Sequence, residues 1–312
     1  MERLSGQHPV RRLCRVLGAS VSGYYRWRQR EPSSRAREDR HLKQRILSIH
    51  AEHRGRYGTP RIERALRREG IATSRKRVAR LRRELGLKAK AARRFRVTTQ
   101  SDSTHQVAPN HLKRRFEAPQ ADHTWVGDIT YLSTAEGWLY LAVVLDTYSR
   151  RIVGWATSSS LDRELTLSAL ETAVSTRRPP AGLLHHTDRG SQYTSRDYQD
   201  RLEATGLIAS MSRKGDCWDN AMVESFFKTL KTELGDRFSS RAAARHQLFD
   251  YIEGYYNTRR MHSSLGYLSP AQYERLARNT RPGDSAGGRW ARASTRPAPS
   301  APPPTAPPGE LH

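Results

Sequence analysis

Cysteine and long apolar runs are scarce in this chain of 312 residues. Its two cysteines, Cys14 and Cys217, are too few for a disulfide framework and fit a reducing cytoplasm. Neither has neighbours at the spacing of zinc ligands, so no zinc site is expected. No apolar stretch reaches the roughly 18 residues of a membrane span, and no signal peptide precedes the first polar stretch. These absences predict a cytoplasmic protein without a membrane partner.

Acidic residues are scarce in the first hundred residues of the chain. That segment holds 8 Asp and Glu against 29 Lys and Arg, whereas the rest of the chain holds 23 against 26. Net charge predicts partners rather than fold, so this segment should attract a polyanion such as DNA, RNA or an acidic membrane. Nucleic acid is favoured because the arginines lie on predicted helices with turn signals between them.

Two pairs of short helices carry this positive charge. Residues 8–30 are predicted to form two helices broken at "LGAS", with Ser20 as the cap of the second. In residues 59–88 one helix ends at Gly70 and Ser74 caps the next, which is the helix-turn-helix pattern. The alternative is a helical hairpin whose arginines only face solvent. The candidate DNA contacts are Arg61, Arg75, Lys76, Arg77, Arg80 and Arg83.

Strand signals replace helix signals after residue 121. The segments "TWVGDITYLS", "GWLYLAVVLDTYS" and "RRIVGWATSS" are rich in β-branched and aromatic residues and predict an antiparallel meander. They are followed by a predicted helix, "RELTLSALETAVSTR", and a strand, "GLLHHTD", and then by a second helix, "SRDYQDRLEATG", and a strand, "LIASMS". This order predicts an α/β fold, a mixed five-stranded sheet with flanking helices. A helix at about 240–258 and the loop "NTRRMHSSLGYLSP" follow.

The chain therefore divides into five predicted segments. After Arg281 it holds eight of its sixteen prolines, so this tail is predicted to be disordered. The segments are an N-terminal helical or helix-turn-helix segment (1–35), a helix-turn-helix DNA-binding domain (41–100), a basic linker (101–120), the α/β core with its C-terminal helices (121–280) and the tail (281–312).

Three carboxylates stand out by their positions. Asp128 lies within the apolar strand "WVGDITYL", where an ionised side chain is unfavourable and therefore indicates a functional role. Asp188 ends the strand "LLHHTD", at the carboxyl edge where α/β sheets bind ligands, and Gly190 permits a tight turn there. Glu224 lies on the amphipathic helix "DNAMVESFFKTLKTE", for which Asp219 is the predicted cap. The polar stripe of this helix also contains Asn220, Lys228 and Lys231.

Gathered in one pocket, these three carboxylates would need a cation. At about 4 Å and an effective dielectric near 20, two ionised carboxylates repel by about 4 kcal/mol. Oxygen ligands suit Mg²⁺, for which Mn²⁺ could substitute. Two Mg²⁺ ions could activate a water or hydroxyl and stabilise the leaving oxygen of a phosphoryl displacement.

Several assignments stay open at this stage. His186 either supports the aspartates or packs within its strand, and Asn220 either supports the site or belongs to the helix cap. Lys228 and Lys231 either contact DNA phosphates or line the helix surface. Asp216, Asp219 or Glu233 could replace Glu224 as the ligand. Five residues of the C-terminal loop either fold over the site or bind DNA: Tyr256, Asn257, Arg259, Arg260 and His262.

The chain resembles the DDE transposases of bacterial insertion sequences, in particular the second-frame (OrfB) product of the IS-three group. The matching segments are "WVGDITYL", "LDTYSRRIVGW", "HTDRGSQY", "GDCWDNAMVESFFKTLKTE" and "YYNTRRMHSSLGYLSP", and the resemblance covers about residues 1–280. It implies a retroviral-integrase-like core with the RNase H-like fold. It also implies a catalytic, metal-binding triad of Asp128, Asp188 and Glu224, with Lys231 as the family's basic residue seven positions after the glutamate.

The function implied by this resemblance is DNA transposition. The metal site would hydrolyse a phosphodiester, and the freed 3′-hydroxyl would attack another strand, with a homo-multimer acting on paired element ends. In the family an upstream first-frame segment is commonly joined by frameshifting; because this chain starts at its own Met1, it is expected to need that segment as a partner or fusion. The expected location is the bacterial cytoplasm, at the nucleoid.

Two alternative functions stay open. One is a non-catalytic DNA-binding regulator that retains the carboxylates. The other is a tyrosine recombinase, suggested by Arg259, His262 and Tyr267 in "RRMHSSLGY", although their order and tight spacing disagree with that chemistry.

Overall fold

The structure is a computed structural model that describes residues 4–90, 108, 118–212 and 220–279. The chain divides into two compact units after Lys90. The predicted disordered tail, 281–312, lies outside the described residues, as does most of the predicted linker, 101–120. Within the described ranges, no helix has the length and apolar character needed to cross a membrane.

The first unit is entirely helical. Both predicted serine caps are confirmed: Ser20 Oγ accepts a hydrogen bond from the Gly23 N–H at 3.0 Å, and Ser74 Oγ accepts one from Arg77 N–H at 3.2 Å. Gly70, with φ +78°, makes the predicted turn that follows the fourth helix. The helices are α1 (Val10–Val16), α2 (Val21–Gln29), α3 (Ser34–Glu52), α4 (Thr59–Arg68) and α5 (Arg75–Glu84).

Helices α3, α4 and α5 pack around one small apolar core. The buried side chains of each helix recur at the spacing of one helix face, so each helix buries one apolar stripe. The core residues are Leu42, Ile46, Ile49, Tyr57, Ile62, Leu66, Val78 and Leu81. This packing fixes which side of α5 faces solvent.

The second unit is a mixed sheet with flanking helices, as predicted. The strand order is β3-β2-β1-β4-β5, in which β1, β2 and β3 are antiparallel and β4 and β5 run parallel to β1. A sixth strand of two residues pairs with the far end of β1; it was not predicted because two residues show no alternation. The strands are β1 (Thr124–Thr134), β2 (Gly137–Asp146), β3 (Ile152–Ser158), β4 (Leu184–Thr187), β5 (Ile208–Met211) and β6 (Arg237–Phe238).

One face of the sheet is covered by the helix α6 (Arg163–Arg177), which lies against β2 and β3. The two backbones approach closely at Gly154 of β3. A Cβ atom built on Gly154 would lie 2.3 Å from the carbonyl oxygen of Ala169. A side chain at this position would therefore separate α6 from the sheet.

The C-terminal segment packs against the edge strand β3. The helix predicted at about 240–258 is observed as α9 (Arg241–Tyr251) followed by a π-helical turn, Ile252–Tyr256. Beyond it, Asn257 accepts a hydrogen bond from Ile152 N–H and donates one to Ile152 C=O, at 3.0 and 2.9 Å. The remaining helices are α7 (Arg196–Ala204), α8 (Ala221–Glu233) and α10 (Pro270–Asn279).

Candidate active site

The register of β1 and β4 brings Asp128 and Asp188 to the same level of the sheet. Val126 of β1 is paired with His186 of the parallel strand β4. Asp128 and Asp188 each follow that pair by two residues, so both lie where β4 ends. Strands this far apart in sequence place two carboxylates side by side only because they pair in parallel.

The Asp188 carboxylate is positioned by the turn that follows β4. Its Oδ1 accepts a hydrogen bond from the Gly190 N–H at 2.9 Å. A Cβ atom on Gly190 would lie 3.0 Å from that same oxygen, so a larger residue would press on the carboxylate. Gly190 therefore supplies both the hydrogen bond and the space around Asp188.

Glu224 lies in the first turn of α8, which packs against β1. Its side chain is exposed, whereas Asp128 and Asp188 are half-buried. A carboxylate in the first turn of a helix is stabilised by the helix dipole. The predicted cap Asp219 lies outside the described residues; Asn220 occupies the cap position, and its side chain makes no capping hydrogen bond.

The ionised form of Asp128 is disfavoured by burial and by the two other carboxylates. Burial raises the pKa of Asp128 well above its usual range, and the charges of Asp188 and then Glu224 add to this effect. The hydrogen bond from Ile129 N–H, at 2.7 Å, opposes it. Burial also raises the pKa of Asp188, against the Gly190 hydrogen bond, and partial burial raises that of Glu224. Without a bound cation, the raised pKa values disfavour simultaneous ionisation of all three carboxylates.

The three carboxylates are residue types that suit a divalent cation, but they lie too far apart to hold one together. All the donors are carboxylate oxygens, which Mg²⁺ prefers, and a cation would reverse the repulsion that raises the pKa of Asp128. Across residues 4–90, 108, 118–212 and 220–279, no three His, Cys, Asp or Glu side chains lie close enough together to hold a metal ion. Glu224 would therefore have to approach the two aspartates for all three to act as ligands.

The two histidines of β4 are packed inside the sheet. His186 is fully buried, and its Nδ1 lies 2.9 Å from Ser210 Oγ of β5. His185 contacts the hydroxyl of Tyr198 at 2.8 Å, and burial lowers the pKa of His185 to about 3, so it is neutral. These contacts favour strand packing over a direct chemical role.

Tyr193 was missed by the sequence reasoning. It is buried beside the site, where its pKa is raised well above the usual range by burial, by Tyr198, and then by the charges of Asp128 and Asp188. The only signal was its place in "HTDRGSQY", five residues after Asp188, with no periodicity to mark it. Tyr193 is therefore near enough to both aspartates to feel their charges.

The alternative ligand Glu233 is wrong, because it belongs to a buried ion pair. Its carboxylate accepts hydrogen bonds from Arg260 Nη2 at 2.7 Å and Tyr251 Oη at 3.0 Å. The other two alternatives, Asp216 and Asp219, lie outside the described residues. Glu224 remains the candidate on α8.

Four of the five singled-out residues of the C-terminal loop are packed inside the second unit and do not present a DNA surface. Tyr256, Asn257, Arg260 and His262 are buried inside the second unit, so the expectation that they bind DNA is corrected for these four. Only Arg259 of the five is exposed. Asn257 and Arg260 use their polar groups in hydrogen bonds within the unit, to Ile152 and to Glu233.

The predicted DNA contacts on α5 separate into two groups. Arg77 binds Asp39 and Glu38 at 2.7 and 3.0 Å, and Arg80 binds Asp39 and Glu84, each at 2.6 Å. These two arginines join α5 to α3. By contrast, Arg75, Lys76 and Arg83 are exposed and form no ion pair within the part of the chain that the structure describes.

Of the other three predicted DNA contacts, Arg61 and Lys231 lie beside tyrosine rings and Lys228 is exposed to solvent. The Arg61 guanidinium lies 5.6 Å from the centroid of the Tyr57 ring, and the Lys231 ammonium lies 4.9 Å from the centroid of the Tyr131 ring. Lys228 is exposed on α8.

Comparison with known protein families yields matches in both units. The family described as Integrase core domain matches residues 118–217, and a second family with the same description matches residues 205–270. The family described as HTH-like domain matches residues 36–95.

The chain is similar to curated proteins of bacterial insertion sequences over nearly their whole length. It is 48% identical over 263 residues to the insertion element IS600 uncharacterized 31 kDa protein of Shigella sonnei, covering 84% of this chain and 97% of that protein. It is 42% identical over 278 residues to the transposase InsF for insertion sequence IS3A of Escherichia coli strain K12, covering 88% and 96%. It is 45% identical over 248 residues to the transposase for insertion sequence element IS904 of Lactococcus lactis, covering 79% and 98%.

Among solved structures, the chain is similar to the HTLV-2 integrase catalytic core domain in complex with magnesium. The identity is 18%, the TM-score is 0.39, and the match covers 51% of this chain and 99% of that chain.

Proposed function

The chain belongs to the IS3-family transposases with an integrase-like core, and from that premise we propose that Asp128, Asp188 and Glu224 form the metal-dependent centre for DNA strand cleavage and strand transfer. One observation carries this assignment. Asp128 and Asp188 lie at the same level of two paired parallel strands, and Glu224 lies in the first turn of α8, which packs against β1. In an apolar strand such a group would be costly unless a cation joined it.

We propose that these three residues hold Mg²⁺, or Mn²⁺ in its place, in a two-ion site. When bound, divalent ions stabilise the attacking and leaving oxygens of a phosphoryl displacement. The Ile129 N–H holds one oxygen of Asp128, and the Gly190 N–H holds one oxygen of Asp188. Each aspartate is thereby oriented before a ligand arrives, which reduces the reorganisation needed in the reaction.

The two units would divide the work. We propose that residues 41–100 act as the helix-turn-helix DNA-binding domain and residues 121–280 as the catalytic core. The first would hold element ends or target DNA, and the second would cut and join strands, with several copies acting on paired ends. Joining measured with and without an upstream first-frame segment would show whether the chain acts alone.

The test is joining of a labelled element end to a second DNA by the purified full chain. We expect joining in Mg²⁺ or Mn²⁺ and none in excess EDTA, with and without the upstream segment added. DNA binding without nicking or joining under every one of these conditions would contradict the proposal. That outcome would support the alternative of a non-catalytic DNA-binding regulator.

Membership of the IS3-family transposases disfavours the tyrosine-recombinase alternative, and so does the structure around its candidate residues. His262 is buried, and the backbone N–H of Tyr267 donates to its carbonyl oxygen at 2.7 Å, so both belong to a tight turn. Tyr267 takes φ +68° there.

We also propose that Arg75, Lys76 and Arg83 are the phosphate contacts of α5. Substituting all three by alanine should lower the magnitude of the slope of log affinity against log salt by about 3, because each phosphate contact contributes close to one. Affinity at low salt should fall at least about 10-fold. The measurement is fluorescence anisotropy on one duplex at several salt concentrations.

The matched control removes the same charge from the second unit. Arg196, Arg275 and Arg278 are exposed arginines of α7 and α10, and their triple alanine variant should leave the slope within about 1 of the parent. An equal change in both triple variants would show that only net charge matters, and it would contradict the assignment to α5.

A further inference from the structure

Two large aromatic side chains lie exposed at the far end of the β1–β2 hairpin. Tyr131 and Trp138 are 45% and 50% exposed, and their ring centroids lie 5.0 Å apart in an edge-to-face arrangement. The ammonium of Lys231 lies 4.9 Å from the Tyr131 ring centroid. We call these three residues the aromatic corner.

The surroundings of the aromatic corner are basic. Lys228 is exposed on α8, Arg237 is exposed on β6, and the Nε of Arg241 donates to the carbonyl oxygen of Trp138 at 3.2 Å. Two carboxylates lie nearby. Asp236 acts on Lys231, and Glu136 accepts a hydrogen bond from the backbone N–H of Arg241 at 2.9 Å. Four cations against these two carboxylates leave the patch positive, which suits a polyanion.

Helix α8 carries Glu224 in its first turn and Lys231, a member of the aromatic corner, in its last turn. Glu224, Lys228 and Lys231 follow one another at four- and three-residue spacing, so they share one stripe of the helix. Seven residues of helix rise by about 10.5 Å. That rise is short enough for one DNA strand to contact both ends of the stripe.

Hairpin stability alone does not account for this arrangement. A cross-strand aromatic pair stabilises a hairpin through contacts between its two rings. Here about half of each side chain stays open to solvent, and a cation from a separate element lies over one of the rings. Exposed aromatic faces beside cations are the arrangement that stacks nucleic-acid bases.

We propose that the aromatic corner stacks an unpaired base of the DNA strand whose phosphates follow Lys228 and Lys231. A base inside a duplex has both faces covered by its neighbours, so the base that reaches Tyr131 or Trp138 is one that has left the helix. The occupant is therefore a frayed or single-stranded nucleotide a few positions from the phosphate that Glu224 serves. This inference rests on the proposed function, which places the reacting phosphate near Glu224.

The test compares two DNA duplexes of the same sequence, one blunt and one with a three-nucleotide overhang, made with the overhang on either strand. The full chain is used in EDTA, so that binding is measured without cleavage. Tyr131→Ala and Trp138→Ala should each weaken binding of an overhang duplex about 10-fold and leave blunt-duplex binding within about 2-fold, since base stacking is the contact removed. Tyr131→Phe should retain parental affinity because it keeps the ring.

A fluorescent base analogue in the overhang reports stacking directly. 2-Aminopurine at the third position should be quenched on binding by the parent and by Tyr131→Phe, and not by Tyr131→Ala. The control is Phe249→Ala, which removes an aromatic ring that is 56% exposed on α9 and should change neither signal. Melting curves must show that each variant folds like the parent.

Three outcomes would overturn the proposal. They are absence of quenching in every duplex, equal loss of blunt and overhang binding, or a changed oligomeric state with unchanged DNA binding. The last would assign the aromatic corner to contact with a second copy of this chain. A chain that stacks the base in EDTA but never joins DNA would refute the proposed function and leave the aromatic corner intact as a DNA-binding surface.

Discussion

Replacing Asp128 by asparagine is expected to lower DNA strand joining by roughly 10³- to 10⁴-fold, the scale seen when one member of a catalytic group is removed. Asparagine keeps the shape of the side chain and removes one charged oxygen ligand. Asp188→Asn and Glu224→Gln should have effects of the same order, because each withdraws one ligand from the same centre. The measurement is the initial rate of joining in Mg²⁺, with substrate DNA in excess.

The stability of these variants separates a chemical role from a structural one. Burial and the charges of Asp188 and Glu224 both disfavour the ionised Asp128, so removing its charge relieves repulsion. The melting temperature of Asp128→Asn in EDTA should therefore equal or exceed that of the parent. DNA affinity should be unchanged, because the excess positive charge lies in the first hundred residues.

The matched control for Glu224→Gln is Glu203→Gln. Glu203 is an exposed glutamate on α7, so the same chemical change is made in the same unit outside the carboxylate group. It should retain the parental rate. Near-normal joining by Asp128→Asn, Asp188→Asn or Glu224→Gln would refute the assignment of that one residue, and near-normal joining by all three would refute the centre.

Replacing Arg260 by glutamine should destabilise the second unit by about 3 to 5 kcal/mol, the cost of leaving a buried charge without its partner. Arg260 and Glu233 are 6% and 5% exposed, and they lie 2.7 Å apart. Without the guanidinium, Glu233 retains the hydroxyl of Tyr251 as a donor, at 3.0 Å. The measurement is urea unfolding of the full chain, followed by tryptophan fluorescence.

Two further variants make the Arg260 result specific. The double variant Glu233→Gln with Arg260→Gln should lose less free energy of unfolding than the sum of the single variants, because neither side chain then carries an unpaired charge. Arg163→Gln breaks an exposed ion pair with Asp197 and should cost no more than about 1 kcal/mol. Additive single losses would show that Arg260 and Glu233 are not coupled.

The buried pair also explains why the loop residues were misassigned from the sequence. "NTRRMHSSLGYLSP" contains arginines and a histidine with no apolar periodicity, which is equally typical of a binding loop. The partner of Arg260 lies 27 residues earlier, at the end of α8. Burial of a polar segment depends on such distant partners, and local composition does not report them.

The sequence by itself predicted the first five strands of the sheet in order, the helices between them, both serine caps and three carboxylates as a candidate site. These predictions follow from local chemistry: apolar spacing selects helix or strand, a hydroxyl caps a helix within three residues, and a carboxylate in an apolar strand indicates a candidate site. The charge contrast between the first hundred residues and the rest is likewise a property of composition alone.

Only the tertiary structure decided which charged groups face solvent and which face each other. Asp39 of α3 forms ion pairs with Arg77 and Arg80 of α5, about forty residues away, whereas Arg75, Lys76 and Arg83 are exposed. Lys231 meets a tyrosine a hundred residues earlier. Pairs of this separation are set by strand register and by the angles at which helices pack, and neither is contained in the periodicity of a single segment.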